Sequence, residues 1–299
     1  MHLSPEHDAS QHVSLVFIGG GNMARAMIGG LLNEGWQPHH LSVVEPQAAA
    51  RDKLKAHNEH LGVYANCAGA ERAIRLATLI VLAVKPQQMP EALAPLQSML
   101  TSQTVLGIAA GVKLRSISDW LGGYRKLARA MPNTPALVCS GVTGLYAWPE
   151  VGEAERELVT SLAEATGICL WMANEADMNA VTAVSGSGPA YAFLLIEAMQ
   201  QSAEDFGLDC AEARNIAVHT VLGAAKMAMD STEPLSTLRE QVTSRGGTTE
   251  RALQTMRTHA VPEGIAAGIH AAWRRAREMG ELTGSREEES MNKVPAERV

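Results

Sequence analysis

The sequence predicts an α/β domain followed by an all-α domain. In the first half, short apolar runs alternate with stretches of helical spacing. Beyond about Asn174 the chain becomes rich in Ala, Met, Leu and Ile, and between Pro189 and Pro262 the only proline is Pro234. Aromatic residues make up 4% while methionine reaches 14, which suits closely packed helices better than an aromatic-rich β-sandwich.

The elements follow in order. Apolar runs at Val13–Ile18, Leu41–Val44, Thr78–Val84, Thr104–Ala109 and Lys126–Ala130 read as strands buried on both faces. The intervals between them leave room for helices, so a parallel sheet is expected. Met23, Met27, Ile28 and Leu31 fall on one helix face, as do Leu93, Leu96 and Leu100. Val142–Ala147 and Ile168–Trp171 are two further strands flanking a helix over Glu153–Ala165. Long helices are expected at about Met178–Phe206, Ala211–Met229, Thr249–Thr258 and Pro262–Met279. The last carries the apolar stripe Ile265, Ile269, Ala272, Trp273 and Ala276, with Arg274, Arg275 and Arg277 near the negative end of its dipole. The expected organisation is a leader over residues 1–12, an α/β domain over 13–173, a helical domain over 174–280 and a loose charged tail over 281–299. The helical half is thin in large side chains, so merging with a second copy is expected.

The net charge of −7 argues against nucleic acid, whose phosphates need a positive field. No apolar run approaches the roughly 20 residues of a membrane span. Met1 to His12 is polar and lacks the basic and apolar regions of a secretory leader. Cys67, Cys139, Cys169 and Cys210 are far apart, which predicts no disulfide framework and a cytoplasmic location. His57 and His60 share a helix face, read as exposed and polar, so no metal is expected.

The first strand runs into Gly19-Gly20-Gly21-Asn22-Met23-Ala24, a G-x-G-x-x-A turn that opens a helix. Gly19 permits the turn, Gly21 lets a pyrophosphate approach the backbone, and Ala24 allows helix to pack on strand. The helix N-terminus adds N–H donors and a positive dipole end. Following a strand within a βαβ pattern, this predicts a Rossmann-type dinucleotide site. Glu45 ends the second strand, either bonding the ribose hydroxyls of NAD or standing as a solvated carboxylate before Pro46. Arg51 lies within reach of a phosphate, which leaves NADH and NADPH both open.

The loops Ala83-Val84-Lys85-Pro86, Ala109-Ala110-Gly111 and Met131-Pro132-Asn133-Thr134-Pro135 leave three strands at the edge where such a sheet builds its cleft. Ser185-Gly186-Ser187-Gly188-Pro189 reads as a close approach of helices whose backbone borders a ligand. Thr243-Ser244-Arg245-Gly246-Gly247-Thr248-Thr249-Glu250 reads either as an anion-binding nest or as a helix start capped by Thr248 or Thr249.

Together I-G-G-G-N-M-A (18–24), A-V-K-P-Q (83–87), A-M-P-N-T-P-A (130–136), T-A-V-S-G-S-G-P-A-Y (182–191) and V-T-S-R-G-G-T-T (242–249) resemble the pyrroline-5-carboxylate reductase family, in order and over nearly the whole chain. The resemblance implies a Rossmann domain and a helical domain that interlocks with a second subunit in a homodimer, within a ring as large as a decamer. It implies reduction of 1-pyrroline-5-carboxylate to L-proline, the last step of proline synthesis, with NADPH or NADH. By the same resemblance Ser244, Gly246, Gly247 and Thr248 hold the substrate carboxylate and Thr249 bonds the ring nitrogen. Gly19, Gly21, Asn22, Met23, Glu45, Asn66, Ala83, Lys85, Pro86 and Asn133 form the cofactor path. Arg245 departs from the family, which usually has proline there.

Three other functions fit parts of the pattern. One is a reductase of another cyclic imine. The second is a β-hydroxy-acid dehydrogenase, whose lysine base would be Lys226, the only lysine between Gly152 and Gly280. The third is a non-catalytic dinucleotide sensor, against which the Ser-x-Gly-Gly-x-Thr loop argues.

Overall fold

A computed structural model describes residues 13–291 of the chain, without the side chains of His57 and of 282–291. The expected leader therefore lies outside the described residues, as do 292–299. The helix that carries His57 ends at that residue, so His60 stands in the following turn and the two histidines do not share a helix face. The described residues cluster into two compact units, 13–186 with 273–291, and 187–272.

The first unit is built on an eight-stranded sheet in the order β3-β2-β1-β4-β5-β6-β7-β8. Its strands are β1 (Leu15–Ile18), β2 (Leu41–Val44), β3 (Gly62–Tyr64), β4 (Leu79–Leu82), β5 (Thr104–Gly107), β6 (Leu127–Met131), β7 (Gly141–Ala147) and β8 (Gly167–Trp171). The central strands read as unbroken apolar runs because both faces are covered. Leu15 and Phe17 of β1 point into one core with Leu79 and Val81 of β4, while Val16 and Ile18 point into the other with Ile80 and Leu82. The first core is closed by α1 (Asn22–Asn33) through Ala24, Met27, Ile28 and Leu31, whose spacing puts them on one helix face. α2 (Ala48–His57) adds Leu54 to that core. On the other face lie α3 (Glu71–Leu76), α4 (Met89–Leu93) and α5 (Leu114–Trp120), carrying Ile74, Met89, Leu93 and Ile117. α6 (Glu153–Glu164) returns to the first core with Val159 and Leu162. Each such fully buried aliphatic side chain is worth about 1.5–3 kcal/mol.

Four features differ from expectation. β3, only Gly62-Val63-Tyr64, is too short for its pattern to stand out, and it pairs in parallel with β2. The sheet is mixed, because β7 runs antiparallel to β6. Only residues 132–140 join those two strands, too few for the crossover that a parallel pair needs. The helix expected over Met178–Phe206 is broken. α7 (Met178–Val181) is followed by a π-helical turn, Thr182–Gly186, before α8 (Gly188–Asp205) begins. Pro189 lies in the first turn of α8, where its missing N–H costs nothing. Finally, the last helix continues to Met291, through much of the segment expected to loosen.

The second unit holds α8, α9 (Cys210–Asp230), α10 (Leu235–Gln241), α11 (Thr248–Thr258) and the first part of α12 (Val261–Met291). Asp209 caps α9 by accepting the N–H groups of Ala211 and Glu212, both at 2.9 Å. α8 packs on α9, where Ala213 and Ala217 are buried. No residue of α8 is buried in the single chain, and Phe193 and Leu194 are each 67% exposed. Among the described residues no helix is long and apolar enough to cross a membrane.

The Tyr124 hydroxyl donates to the Gln103 carbonyl at 2.6 Å, and burial pushes its pKa from 10.0 to about 12. The folded state therefore holds this proton more tightly than the unfolded chain, and stability falls as pH rises between those values. In an absorbance titration of the phenols, one of the four tyrosines should ionise late, and Tyr124→Phe should remove that step. A single common titration of all four would contradict the burial argument.

Candidate active site

The strand order reverses between β1 and β4, and the glycine turn sits at the carboxyl end of β1 at this switch point. Gly19 takes φ +102°, and a Cβ there would lie 2.7 Å from the Ala83 carbonyl oxygen. Gly21 is the N-cap of α1 at φ −69°, has no side-chain cap, and is exposed. A Cβ on Gly21 would meet no atom within 4 Å. Packing thus demands glycine at 19, whereas at 21 the missing side chain leaves open space over uncapped N–H groups. That space and those donors fit a dinucleotide pyrophosphate.

The neighbouring strand ends complete this edge. Ala83 N–H donates to the Ile18 carbonyl at 2.8 Å, and Glu45 N–H to the Tyr64 carbonyl at 2.9 Å. The Glu45 carboxylate is buried rather than solvated, and it accepts the Gly20 N–H at 2.9 Å and the Gln47 N–H at 2.9 Å. Asn22 is exposed and accepts from Arg25, while Met23 packs half-buried against the first core. Asn66, on the loop after β3, is exposed and accepts the Gly69 N–H at 2.8 Å. Lys85 is exposed just before Pro86, which opens a short 3-10 turn.

Asn133 is engaged elsewhere. Its amide nitrogen donates to the Ser185 carbonyl and hydroxyl oxygens, each at 3.1 Å, and its oxygen accepts the Val142 N–H at 2.8 Å. The loop after β6 is thereby fastened to the π-helical turn, and π turns recur at functional sites. Sequence patterning missed this contact because its partners are far apart in the chain.

Two more residues escaped the sequence. Arg129 on β6 is 4% exposed, and its Nη1 lies 3.2 Å from Glu175 Oε1. Burial pulls the guanidinium pKa down, and the Glu175 charge and hydrogen bond oppose that shift. The same Glu175 oxygen accepts the N–H of Leu114, the first residue of α5, at 2.8 Å.

In the second unit the loop Ser244 to Glu250 leads into α11. Its N-cap is Gly247, not Thr248 or Thr249. Gly246 takes φ +73°, and its N–H donates to Glu250 Oε2 at 2.7 Å. The Gly247 N–H is taken by the Ser244 carbonyl at 3.0 Å. Two donors of the expected nest are therefore satisfied within the turn. Thr248, Thr249 and Glu250 hold the first-turn N–H groups, which have no acceptor within a helix. Glu250, three residues past the cap, reaches back as carboxylates at that position commonly do, here to the N–H of the residue before the cap. Ser244 and Arg245 are exposed, and Thr249 is half-buried.

A mixed Rossmann-type sheet with a glycine-rich phosphate turn, continued by helices with open apolar faces, defines the class of nicotinamide-dependent oxidoreductases with a helical association domain. A family model described as pyrroline-5-carboxylate reductase dimerisation matches residues 175–279, and one described as NADP oxidoreductase, coenzyme F420-dependent, matches 14–111. The pyrroline-5-carboxylate reductase of Pseudomonas aeruginosa is 40% identical over 273 residues, covering 90% of this chain and 98% of its own. The solved pyrroline-5-carboxylate reductase of Coxiella burnetii matches with a TM-score of 0.82 at 37% identity, over 90% of this chain and 98% of its own. A Plasmodium falciparum pyrroline carboxylate reductase with NADP bound matches at 0.80 and 26%, over 90% and 99%. The chain belongs to the pyrroline-5-carboxylate reductase family.

Proposed function

We infer that this chain reduces 1-pyrroline-5-carboxylate to L-proline with NADPH or NADH, the last step of proline synthesis. The similarity to the Pseudomonas aeruginosa reductase over 90% of the chain carries this reading. When bound, a reduced nicotinamide would supply the hydride that the imine carbon takes. The chain's own task is to orient a flat cyclic imine and balance its charge. The Gly21 turn and the α1 N-terminus hold the pyrophosphate, with Asn22, Met23, Ala83, Lys85, Pro86 and Asn66 along the cofactor path. Asn133 serves this path indirectly, by fastening the loop after β6 to the turn at Ser185.

The substrate carboxylate is held at the start of α11. With the Gly246 and Gly247 donors engaged, the N–H groups of Thr248 and Thr249 and the Ser244 hydroxyl are the groups that receive it. Thr249 hydrogen-bonds the ring nitrogen, which takes a proton from water as the carbon takes hydride. Thr249→Ala should lower kcat/KM about tenfold, the worth of one neutral hydrogen bond, with cofactor Kd unchanged. An unchanged kcat/KM removes Thr249 from the mechanism. The function itself is tested by adding the imine with either nicotinamide and identifying proline as cofactor absorbance falls. Turnover of another imine or a β-hydroxy acid in its place would refute it.

The matched dimerisation region and the open faces of α8 support self-association through the helices. A homodimer is the minimal assembly and a decamer the larger ring, distinguishable by sedimentation. The four free thiols suit the reducing cytoplasm where this synthesis runs.

A further inference from the structure

We propose that Glu45 makes this chain select NADH over NADPH. The inference rests on the dinucleotide part of the function above and not on the imine substrate. Glu45 follows directly on β2, beside the glycine turn of β1. In a doubly wound sheet the group at this strand end meets the adenosine ribose. A carboxylate there accepts hydrogen bonds from the two ribose hydroxyls of NADH. Against the 2′-phosphate of NADPH, which carries roughly two negative charges, it is repulsive.

The structure adds that this carboxylate is fixed. Oε2 accepts the Gly20 N–H at 2.9 Å and Oε1 the Gln47 N–H at 2.9 Å, and the residue is 9% exposed. Swinging away from a phosphate would strand the Gly20 donor and disturb the turn that receives the pyrophosphate. Each oxygen retains a second acceptor position, so the two backbone bonds do not exhaust its capacity for ribose hydroxyls.

The competing group is Arg51. Its Nη1 donates to the Glu45 carbonyl at 2.9 Å and to the Pro46 carbonyl at 2.7 Å. The guanidinium is thus tied to backbone at the same strand end. Selection of NADH also departs from the NADP named for related proteins, so the two expectations are opposed.

Titration calorimetry of the full chain with NADH and with NADPH, without substrate, decides the matter. The Kd for NADH should be lower by at least about tenfold. Glu45→Gln keeps the shape and an oxygen for Gly20 but removes the charge and leaves the Gln47 N–H without its carboxylate acceptor. It should tighten NADPH and weaken NADH, each severalfold, because the charge is gone and the amide nitrogen cannot accept from a ribose hydroxyl. Arg51→Ala should move both constants alike. Equal wild-type constants, or an unchanged ratio in Glu45→Gln, would overturn the proposal. So would a loss confined to NADPH in Arg51→Ala, which would assign the 2′-phosphate to Arg51. If Glu45→Gln does not fold, the wild-type ratio and Arg51→Ala still decide. Binding of neither dinucleotide refutes both the proposal and the cofactor reading. Selective NADH binding without imine turnover upholds Glu45 and refutes the substrate alone.

Discussion

Glu175→Ala is expected to destabilise the protein by about 3 kcal/mol, the lower end of the range for breaking a buried ion pair. Two losses combine. Arg129, 4% exposed, would keep its charge without a counter-ion, and its Nε already has no hydrogen-bond partner. The N–H of Leu114 would lose its acceptor at the start of α5, which has no other side-chain cap. The partial exposure of Glu175, 22% for its side chain, places the cost at the lower end, because water can reach the site. Urea unfolding at one fixed protein concentration measures it, since association adds to stability by mass action. Arg129→Met in the Glu175→Ala background should recover a large part of the loss, because no buried charge is then left alone. A single-mutant cost below about 1 kcal/mol would show that water serves Arg129 as well as Glu175 does.

That pair illustrates where sequence reading stops. The central strands were legible because each is buried on both faces, and α1 because its apolar residues repeat at 3.6 spacing. Leu93, Leu96 and Leu100, by contrast, do not share one helix: α4 ends at Leu93 and Leu96 lies in a 3-10 turn. The glycine turn was legible because its function is local: strand, Gly19, Gly21 and helix lie within ten residues. Glu175 and Arg129 are 46 positions apart and join only because the 3-10 turn Glu175–Asp177, between β8 and α7, passes beside β6. Asn133 and Ser185, 52 apart, are the same case. The antiparallel β7 follows from the short connection over 132–140, whose prolines signal a loop but not the direction of the strand after it. At Ser244 to Glu250 the residues were visible but their bonding was not, since a carboxylate and a ligand compete for the same N–H groups.

The glycine turn supports a second test with a large expected effect, because two glycines with a single residue between them should fail in different ways. Gly19→Ala should cost about 2–5 kcal/mol of stability. It forces a Cβ onto φ +102° and to 2.7 Å from the Ala83 carbonyl oxygen, a backbone atom that cannot turn aside. Gly21→Ser should leave stability within about 0.5 kcal/mol, because φ −69° is open to any residue and serine is a favoured N-cap. Its side chain would instead enter space that no protein atom occupies within 4 Å. If the pyrophosphate uses that space, overpacking by about 1–3 kcal/mol raises the dinucleotide Kd roughly five- to 150-fold. Thermal unfolding and cofactor titration of both variants separate the two roles. A Gly21→Ser protein that binds the dinucleotide as wild type would move the pyrophosphate away from this turn. The loss belongs to folding at position 19 and to binding at position 21, because only Gly19 has a backbone atom where its side chain would go.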